Sequence, residues 1–330
     1  MAGVKIIGED VPNMPWQECP ETEWMPVWRY DENPIIGQNP SKGIARIFNT
    51  AIVPYEGKFV GVFRGEQTNG VPHIYLGRSS DAIHWEFEAD QIPFEDEDGN
   101  TFVPRYAYDP RLIKVENTYY IIWCQDFYGT SIGVAKTQDF KEFTRIENAF
   151  LPYNRNAVLF PRKVNGKFLM MSRPGDNGHT PFYDIFLSES KDLVYWGRHR
   201  HVMGNGGGWQ GNVKIGGETV PIEISEGWLV FYYGVTGTCN GYVYSIGAAV
   251  LDIDEPSVVK YRCGDFLLTP EEWYEEKGFV PNATFPCATI QDASSGRIAI
   301  YYGAADTYVC LAFAKVDGIV SYIKDHSKEL

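Results

Sequence analysis

The chain has 330 residues, of which 44% are apolar, and it carries a net charge of −14. A nucleic-acid binder is usually basic, so this acidic balance argues against a nucleic-acid partner. No apolar run approaches the 18 residues that a membrane-spanning helix needs, and residues 1–12 lack a signal-peptide pattern, so we expect a cytoplasmic protein with no membrane partner.

Residues 1–40 form an irregular arm that is rich in Pro and Trp and has little periodicity. We expect this arm to pack on the domain that follows or to take part in an oligomer contact. The remaining residues, 41–330, are expected to form one catalytic domain.

A strand–turn–strand unit recurs five times after the arm. Each copy has an apolar strand, a polar turn and a second strand rich in aromatic and β-branched residues, which is the pattern of a β-hairpin. The copies lie at residues 48–64, 106–123, 156–173, 211–234 and 285–303. A second pattern, in which a short strand leads to a polar turn and an aromatic residue, recurs at residues 76–85, 134–143 and 187–196.

Each repeat therefore holds about four strands, and five such repeats predict an all-β fold, a five-bladed β-propeller. Two separate β-sandwiches would also yield many short strands, but the repeated pair of patterns argues against them. Residues 269–278 predict one short helix inserted before the fifth blade. Thr269 is its expected N-cap, Pro270 its first helical residue and Gly278 its end.

The six cysteines include no CxxC pair, and Cys124 and Cys310 lie in strand-like apolar runs that favour buried free thiols. No spacing of His, Cys and Asp matches a common metal site, so we expect no metal.

The innermost strands of a propeller line its axis, so residues at one end of these strands should converge on one pocket. The set expected from the inner strands is polar and mixed in charge: Asn49, Thr50, Asp109, Arg155, Asn156, Lys214 and Phe285. The ends of the second strands add Arg64, Arg173 and Asp306.

This set suggests a reaction. Inverting cleavage of a glycosidic bond ordinarily needs one carboxylic acid and a second carboxylate that activates water. Asp109 is the candidate acid, and Asp306 could bind sugar hydroxyls. Where the base would stand the sequence has three cations, Arg155, Arg173 and Lys214, which are poor bases but suit a phosphate ion. Phosphate is itself a nucleophile, so the set indicates phosphorolysis.

Each residue also has an ordinary structural interpretation. Asp109 precedes Pro110, and Asp-Pro is a common turn pair. Arg155, Arg173 and Lys214 could be surface or salt-bridging residues, and His179 could be an ordinary residue of its Gly-rich loop. The coincidence of residue types at equivalent repeat positions favours the functional interpretation.

At these residues the chain resembles glycoside hydrolase family 130, the inverting mannoside phosphorylases. The shared motifs run from residues 33–36 and 48–51 through 108–111, 155–156, 172–174, 214–216 and 240–244 to 302–307. The family implies a five-bladed propeller, and its members are often multimeric. One departure is Tyr233, because family members often carry a His after the Tyr in this strand.

The resemblance implies a role for each candidate residue. Asp109 would be the sole general acid and would pass its proton through the 3-hydroxyl of the mannose in subsite −1. Phosphate would be held by Arg155 with Asn156, Arg173, Lys214 and Tyr242 or Tyr244. The mannose in subsite −1 would be held by Asn49, Thr50, Arg64 and Asp306, and the acceptor subsite would be bordered by Tyr108, His179 and Phe285.

We therefore predict a homo-oligomeric enzyme without a cofactor that uses inorganic phosphate as co-substrate. It would phosphorolyse β-1,4-mannooligosaccharides at the non-reducing end and release α-mannose 1-phosphate. Mannosyl-N-acetylglucosamine and mannosylglucose are alternative substrates. A β-mannoside hydrolase on the same fold and a non-catalytic carbohydrate-binding propeller are the alternative functions.

Overall fold

The structure is a computed structural model that describes residues 3–11, 13–96, 98–175, 183–206, 209, 213–217, 219–239 and 241–327. Its strands form five sheets, which are the blades of a five-bladed β-propeller as the repeats predicted. Within the described residues no helix is long and apolar enough to cross a membrane.

The blades follow one another along the chain. Blade 1 contains β2 (Ile44–Tyr55), β3 (Lys58–Gln67), β4 (Pro72–Ser79) and β5 (Glu86–Gln91). Blade 2 contains β8 (Ala107–Val115), β9 (Thr118–Asp126), β10 (Thr130–Thr137) and β11 (Thr144–Ile146), with β6 (Phe94–Glu95) and β7 (Thr101–Phe102) added at its outer edge. Blade 3 contains β12 (Asn154–Leu159), β13 (Phe168–Pro174), β14 (Ile185–Ser190) and β15 (Trp196–Met203).

Blade 4 contains β16 (Lys214–Gly216), β17 (Ile222–Ile224), β18 (Gly227–Thr238), β19 (Gly241–Leu251) and β20 (Val259–Arg262), and both β16 and β17 pair with β18. Blade 5 contains β21 (Thr284–Asp292), β22 (Arg297–Ala304), β23 (Tyr308–Lys315) and, as its outermost strand, β1 (Val27–Arg29). The second repeated pattern forms the turns between the third and fourth strands of blades 1 to 3. In these turns a Ser or Thr side chain accepts backbone N–H groups, as Ser79 does from Ala82.

The hydrophobic core lies between neighbouring blades. One buried cluster joins blades 2, 3 and 4, a second joins blades 4 and 5, a third joins blades 5 and 1, and a fourth joins blades 1 and 2. Both faces of each blade are therefore apolar, which explains the near-continuous apolar runs of the repeats. The inner strand β2 contacts β8 on one side and β21 on the other, so the first and last blades meet at the axis.

The arm closes the ring. Its residues Val27–Arg29 pair antiparallel with β23. Earlier in the arm, Ile7 N–H donates to the Glu223 carbonyl of blade 4, and Val11 N–H donates to Asp292 of blade 5. Arg29 then binds Glu275, with Nε–Oε1 and Nη2–Oε2 distances of 2.8 and 2.9 Å. Glu275 is fully buried and also accepts the Tyr302 hydroxyl at 2.8 Å. Removing one partner of such a buried pair typically costs about 3–5 kcal/mol of stability.

The helix predicted at residues 269–278 is shorter than expected. Helix α1 covers Trp273–Glu276 and has Glu272 as its N-cap. The Thr269 hydroxyl pairs with Ser245 at 2.9 Å and therefore does not cap the helix. The Glu275 carboxylate instead accepts the backbone N–H groups of residues 271 and 272.

The prediction of a single helix was incomplete. A second helix, α2 (Val316–Asp325), follows blade 5 and buries Val316, Ile319, Val320 and Ile323. These four residues have the i, i+3, i+4, i+7 spacing of an amphipathic helix. The β-branched residues and Gly318 lower its helix propensity, which weakened the signal.

Candidate active site

The inner strands of blades 1, 2 and 3 each carry a β-bulge at equivalent positions, and an Asn or Asp occupies each bulge. The backbone angle φ is +52° at Asn49, +49° at Asp109 and +55° at Asn156. Asn and Asp adopt this left-handed conformation more readily than other non-glycine residues. Because a bulge redirects the side chains around it, these residues leave the alternation of their strands. The side chains of Asn49 and Asp109 meet across the boundary between blades 1 and 2.

Asp109 is 8% exposed, and one of its oxygens is already occupied. Asn49 Nδ2 donates to Asp109 Oδ1 at 2.7 Å, and Arg64 Nη1 donates to the same oxygen at 2.9 Å. A proton on this carboxyl group would therefore be carried by Oδ2, because Oδ1 accepts two hydrogen bonds. The arrangement suits a positioned general acid.

Arg64 is held in place by a second carboxylate. Its Nη2 donates to Glu66 Oε1 at 2.8 Å, and Arg46 Nη2 contacts Glu66 Oε2 at 2.6 Å. Burial alone would lower the pKa of Arg64, but the carboxylates of Asp109 and Asp306 outweigh it and raise the pKa above its ordinary value. Arg64 therefore remains a cation beside Asp109.

Blade 5 fixes the position of Asn49. The Cys287 thiol lies 3.5 Å from Asn49 Oδ1 and 3.1 Å from the Phe285 carbonyl. A Cβ atom on Gly303 would stand 2.2 Å from Asn49 Oδ1, so only glycine leaves room for this amide. Asn49 thus connects blade 5 to the carboxylate in blade 2.

Three cations gather on the other side of the pocket. Arg155 and Arg173 are register partners on β12 and β13, and Lys214 opens β16. Arg173 is 2% exposed, and its Nη2 donates to the Asn156 amide oxygen at 3.4 Å. Among the described residues its Nε and Nη1 have no hydrogen-bond partner, nor does Arg155 Nε. A Cβ on Gly216 would stand 2.6 Å from Arg173 Cδ, so glycine is needed for this approach.

The electrostatics of Lys214 reflect this crowding. Burial and then the positive charges of Arg173 and Arg155 lower its pKa from 10.5 to about 8. Three like charges so close together are costly unless an anion lies between them. The cluster therefore has the composition of an oxyanion-binding site.

Tyrosine side chains border the cations. Lys214 Nζ lies 5.4 Å from the centre of the Tyr244 ring, and burial raises the pKa of that phenol above its ordinary value. Tyr242 lies two residues earlier on β19, on the same face, and is 56% exposed. Burial also raises the pKa of Tyr108, whose ring centre lies 5.3 Å from Arg64 Cζ.

Asp306 lies in the turn after β22, with φ of +47°. Burial raises its pKa from 3.8 to about 6. The positive charge of Arg64 acts to lower this pKa, and the negative charge of Asp109 acts to raise it. Its negative charge also acts to raise the pKa of Lys214. This carboxylate therefore lies between the Asp109–Arg64 pair and the three cations.

The remaining predicted residues lie deeper in the fold or outside its description. Thr50 is fully buried, and its hydroxyl points to the Val62 carbonyl at 3.5 Å. Phe285 is 7% exposed and packs against Tyr233, with 4.8 Å between ring centres. His179 lies outside the described residues. The structure thus brings together Asp109, the three cations and Asp306. The side chains of Thr50 and Phe285 are buried and contact Val62 and Tyr233.

Sequence reasoning missed the residues that hold this set in place. They are Arg46, Glu66, Thr130, Gly216, Cys287 and Gly303. Thr130 Oγ1 accepts from Arg155 Nη2 at 3.2 Å. Glu66 lies two residues after Arg64 on the same strand, and this i, i+2 pairing of charges was the one available signal.

The arrangement can donate a proton at Asp109 and bind an oxyanion at the cations. No group of three or more His, Cys, Asp and Glu residues in the described part of the chain is placed to hold a metal ion.

Comparison with known proteins agrees with this chemistry. The profile of glycoside hydrolase family 130, described as β-1,4-mannooligosaccharide phosphorylase, matches residues 9–325. A β-1,4-mannooligosaccharide phosphorylase of Ruminococcus albus is 52% identical over 98% of both chains. A β-1,2-mannobiose phosphorylase of Listeria innocua is 32% identical over 78% of this chain and 70% of its own length. A solved β-1,2-mannobiose phosphorylase from Listeria innocua, in complex with β-1,2-mannobiose, superposes with a TM-score of 0.80 at 24% identity, covering 91% of this chain and 100% of its own.

Proposed function

The chain belongs to glycoside hydrolase family 130, and on that premise we propose that it phosphorolyses β-1,4-mannooligosaccharides at their non-reducing end. The products are α-D-mannose 1-phosphate and an oligosaccharide one residue shorter, and the reaction is reversible. The observation that carries the proposal is the cluster of Arg155, Arg173 and Lys214 in the same site as a buried acid. Among the described residues, Arg155 Nε and Arg173 Nε and Nη1 have no hydrogen-bond partner.

In the proposed reaction a phosphate oxygen attacks the anomeric carbon of the terminal mannose while the bond to the leaving oxygen breaks. Asp109 supplies the proton that the leaving oxygen takes up, through the mannose 3-hydroxyl, and ends as a carboxylate stabilised by Arg64 and Asn49. Arg155, Arg173 and Lys214 bind the phosphate, and Tyr244 borders it. Asp306 and Arg64 bind mannose hydroxyls. No cofactor takes part.

Within the described part of the chain none of the six cysteines forms a disulfide bond, which suits a reducing compartment, and we propose a cytoplasmic location and a homo-oligomeric state.

Product analysis with and without phosphate tests the proposed function. With β-1,4-mannobiose and inorganic phosphate we expect mannose 1-phosphate and mannose in equal amounts. Without phosphate we expect turnover to fall to the background rate, because cations, and not a carboxylate, stand where a general base would activate water. Equal release of mannose in both conditions would establish a hydrolase instead. Mannosyl-N-acetylglucosamine and mannosylglucose, assayed alongside, would identify the preferred acceptor.

The pH dependence of phosphate use tests the role of Lys214. Its pKa of about 8 means that the cation is present below this pH and is lost above it. We expect kcat/KM for phosphate to fall above pH 8 by about tenfold per unit if the protonated amine is required. Lys214→Arg should remove this alkaline fall, since a guanidinium does not titrate in this range. A flat wild-type profile, or the same fall in the variant, would refute the role.

A further inference from the structure

An exposed aromatic strip runs from the active site across blade 2 toward blade 3. We define it by Tyr106, Phe127, Tyr128 and Tyr153, which are 41%, 45%, 92% and 53% exposed. The proposed function gives no role to these four side chains. Large exposed apolar surfaces at the edge of a site usually mark a binding surface.

The strip begins beside a residue of the candidate site. The Tyr106 ring packs edge-on against Tyr108, with 5.6 Å between ring centres and an interplanar angle of 75°. Tyr108 in turn faces Arg64, the partner of Asp109. Tyr106 is therefore the next aromatic ring outward from the acid after Tyr108.

The turn between β9 and β10 continues the strip. Ala107 pairs with Gln125, so Tyr106 lies next to the end of β9, where this turn begins. Phe127 and Tyr128 pack edge to face at 5.1 Å, and the turn is closed by a bond from Phe127 N–H to the Gly129 carbonyl. The turn ends at Thr130, whose hydroxyl binds Arg155. Its position is thus tied to the cation cluster.

The connection into blade 3 completes the strip. A Cβ atom on Gly129 would stand 2.7 Å from Tyr153 Cε1, so the Tyr153 ring lies directly on the glycine of the turn. Polar groups lie among the rings, since Arg105 and Asp126 are both exposed. Flat rings interspersed with charged hydrogen-bonding groups suit sugars, which present C–H faces and hydroxyl edges.

We propose that this aromatic strip binds the sugar units of a mannooligosaccharide beyond the acceptor subsite and so sets a preference for longer chains. This inference rests on the proposed function, because an enzyme that removes the terminal mannose must leave the rest of the chain outside the pocket. On this proposal mannobiose ends at the acceptor subsite beside Tyr108, whereas the additional sugar units of mannotetraose extend to Phe127 and Tyr128.

The test uses the double variant F127A/Y128A and two substrates, β-1,4-mannobiose and β-1,4-mannotetraose, at saturating phosphate. We expect kcat/KM for mannotetraose to fall about tenfold, the loss of one or two ring contacts, while kcat/KM for mannobiose stays within about twofold. Tyr195→Ala is the matched control, because Tyr195 is 79% exposed in the turn between β14 and β15, at the opposite end of β14 from the site. It should change neither value.

Equilibrium binding of the two sugars without phosphate separates this inference from the proposed reaction. Suppose that the wild type shows no phosphate-dependent turnover, but the double variant loses affinity for mannotetraose and not for mannobiose. The proposed phosphorolysis is then wrong, and sugar binding by the aromatic strip is supported. An equal loss of affinity for both sugars, or no loss for either, would refute sugar binding by the aromatic strip. Unchanged sugar binding with a lower molecular mass in solution would also overturn it, because the rings would then join copies of the chain.

Discussion

Replacing Asp109 by asparagine is expected to lower kcat for mannobiose phosphorolysis by about 10²–10⁴-fold, the usual contribution of a general acid. Asparagine has the same shape, and its amide oxygen can still accept from Asn49 and Arg64, so the fold should be retained. What is lost is the ionisable proton. Initial rates of mannose 1-phosphate release measure the effect, with Asp90→Asn on the exposed outer strand of blade 1 as the matched control.

The leaving group makes this prediction more specific. A β-mannoside with a nitrophenolate leaving group departs without protonation, so Asp109→Asn should lose far less activity on it than on mannobiose. An equal loss on both substrates would show that the variant damages binding or folding. Retention of mannobiose activity would assign the acid to another residue, and Asp306 would be the next to test.

Replacing Arg173 by methionine is expected to weaken phosphate binding and to raise the stability of the phosphate-free protein. The KM for phosphate should rise about 10–100-fold, since hydrogen bonds to charged groups contribute about 1.5–3 kcal/mol. The protein without phosphate should become more stable, because the substitution removes a buried cation that lies close to Arg155 and Lys214. Phosphate titration of the rate and denaturant unfolding measure the two effects.

Arg262→Met provides the matched control for this variant. Arg262 is also largely buried, but it lies in blade 4, where its Nε donates to the Tyr232 hydroxyl at 3.1 Å. Its replacement should lower stability and leave the KM for phosphate unchanged. If Arg173→Met instead lowers stability and leaves the KM for phosphate unchanged, Arg173 is a structural residue and the phosphate site lies elsewhere.

The repeats made the fold predictable. Local hairpin patterns define each blade, and the bulge residues Asn49, Asp109 and Asn156 recur at equivalent positions because few residues tolerate their backbone conformation. The supporting contacts were not predictable in the same way. Cys287 contacts Asn49 across the boundary between blades 5 and 1, and no local pattern shows which blade faces which.

The boundaries of the helices show the same limit. Thr269 has the composition of an N-cap, but its hydroxyl is taken by Ser245 from blade 4, and Glu275 organises the turn through Arg29 of β1. Such long-range partners override local signals. The role of Phe285 at the acceptor subsite and that of Thr50 at the mannose subsite stay predictions.

The pairing of β1 with β23 has a consequence for biosynthesis. The first strand leaves the ribosome long before its partner, so it must wait unpaired while blades 1 to 4 form from local contacts. The ring can close only after nearly the entire polypeptide has been made, and such distant pairing is slow to form. We expect ring closure to be the last step of folding, and nascent chains that stop before β23 to expose the outer edge of an unfinished blade.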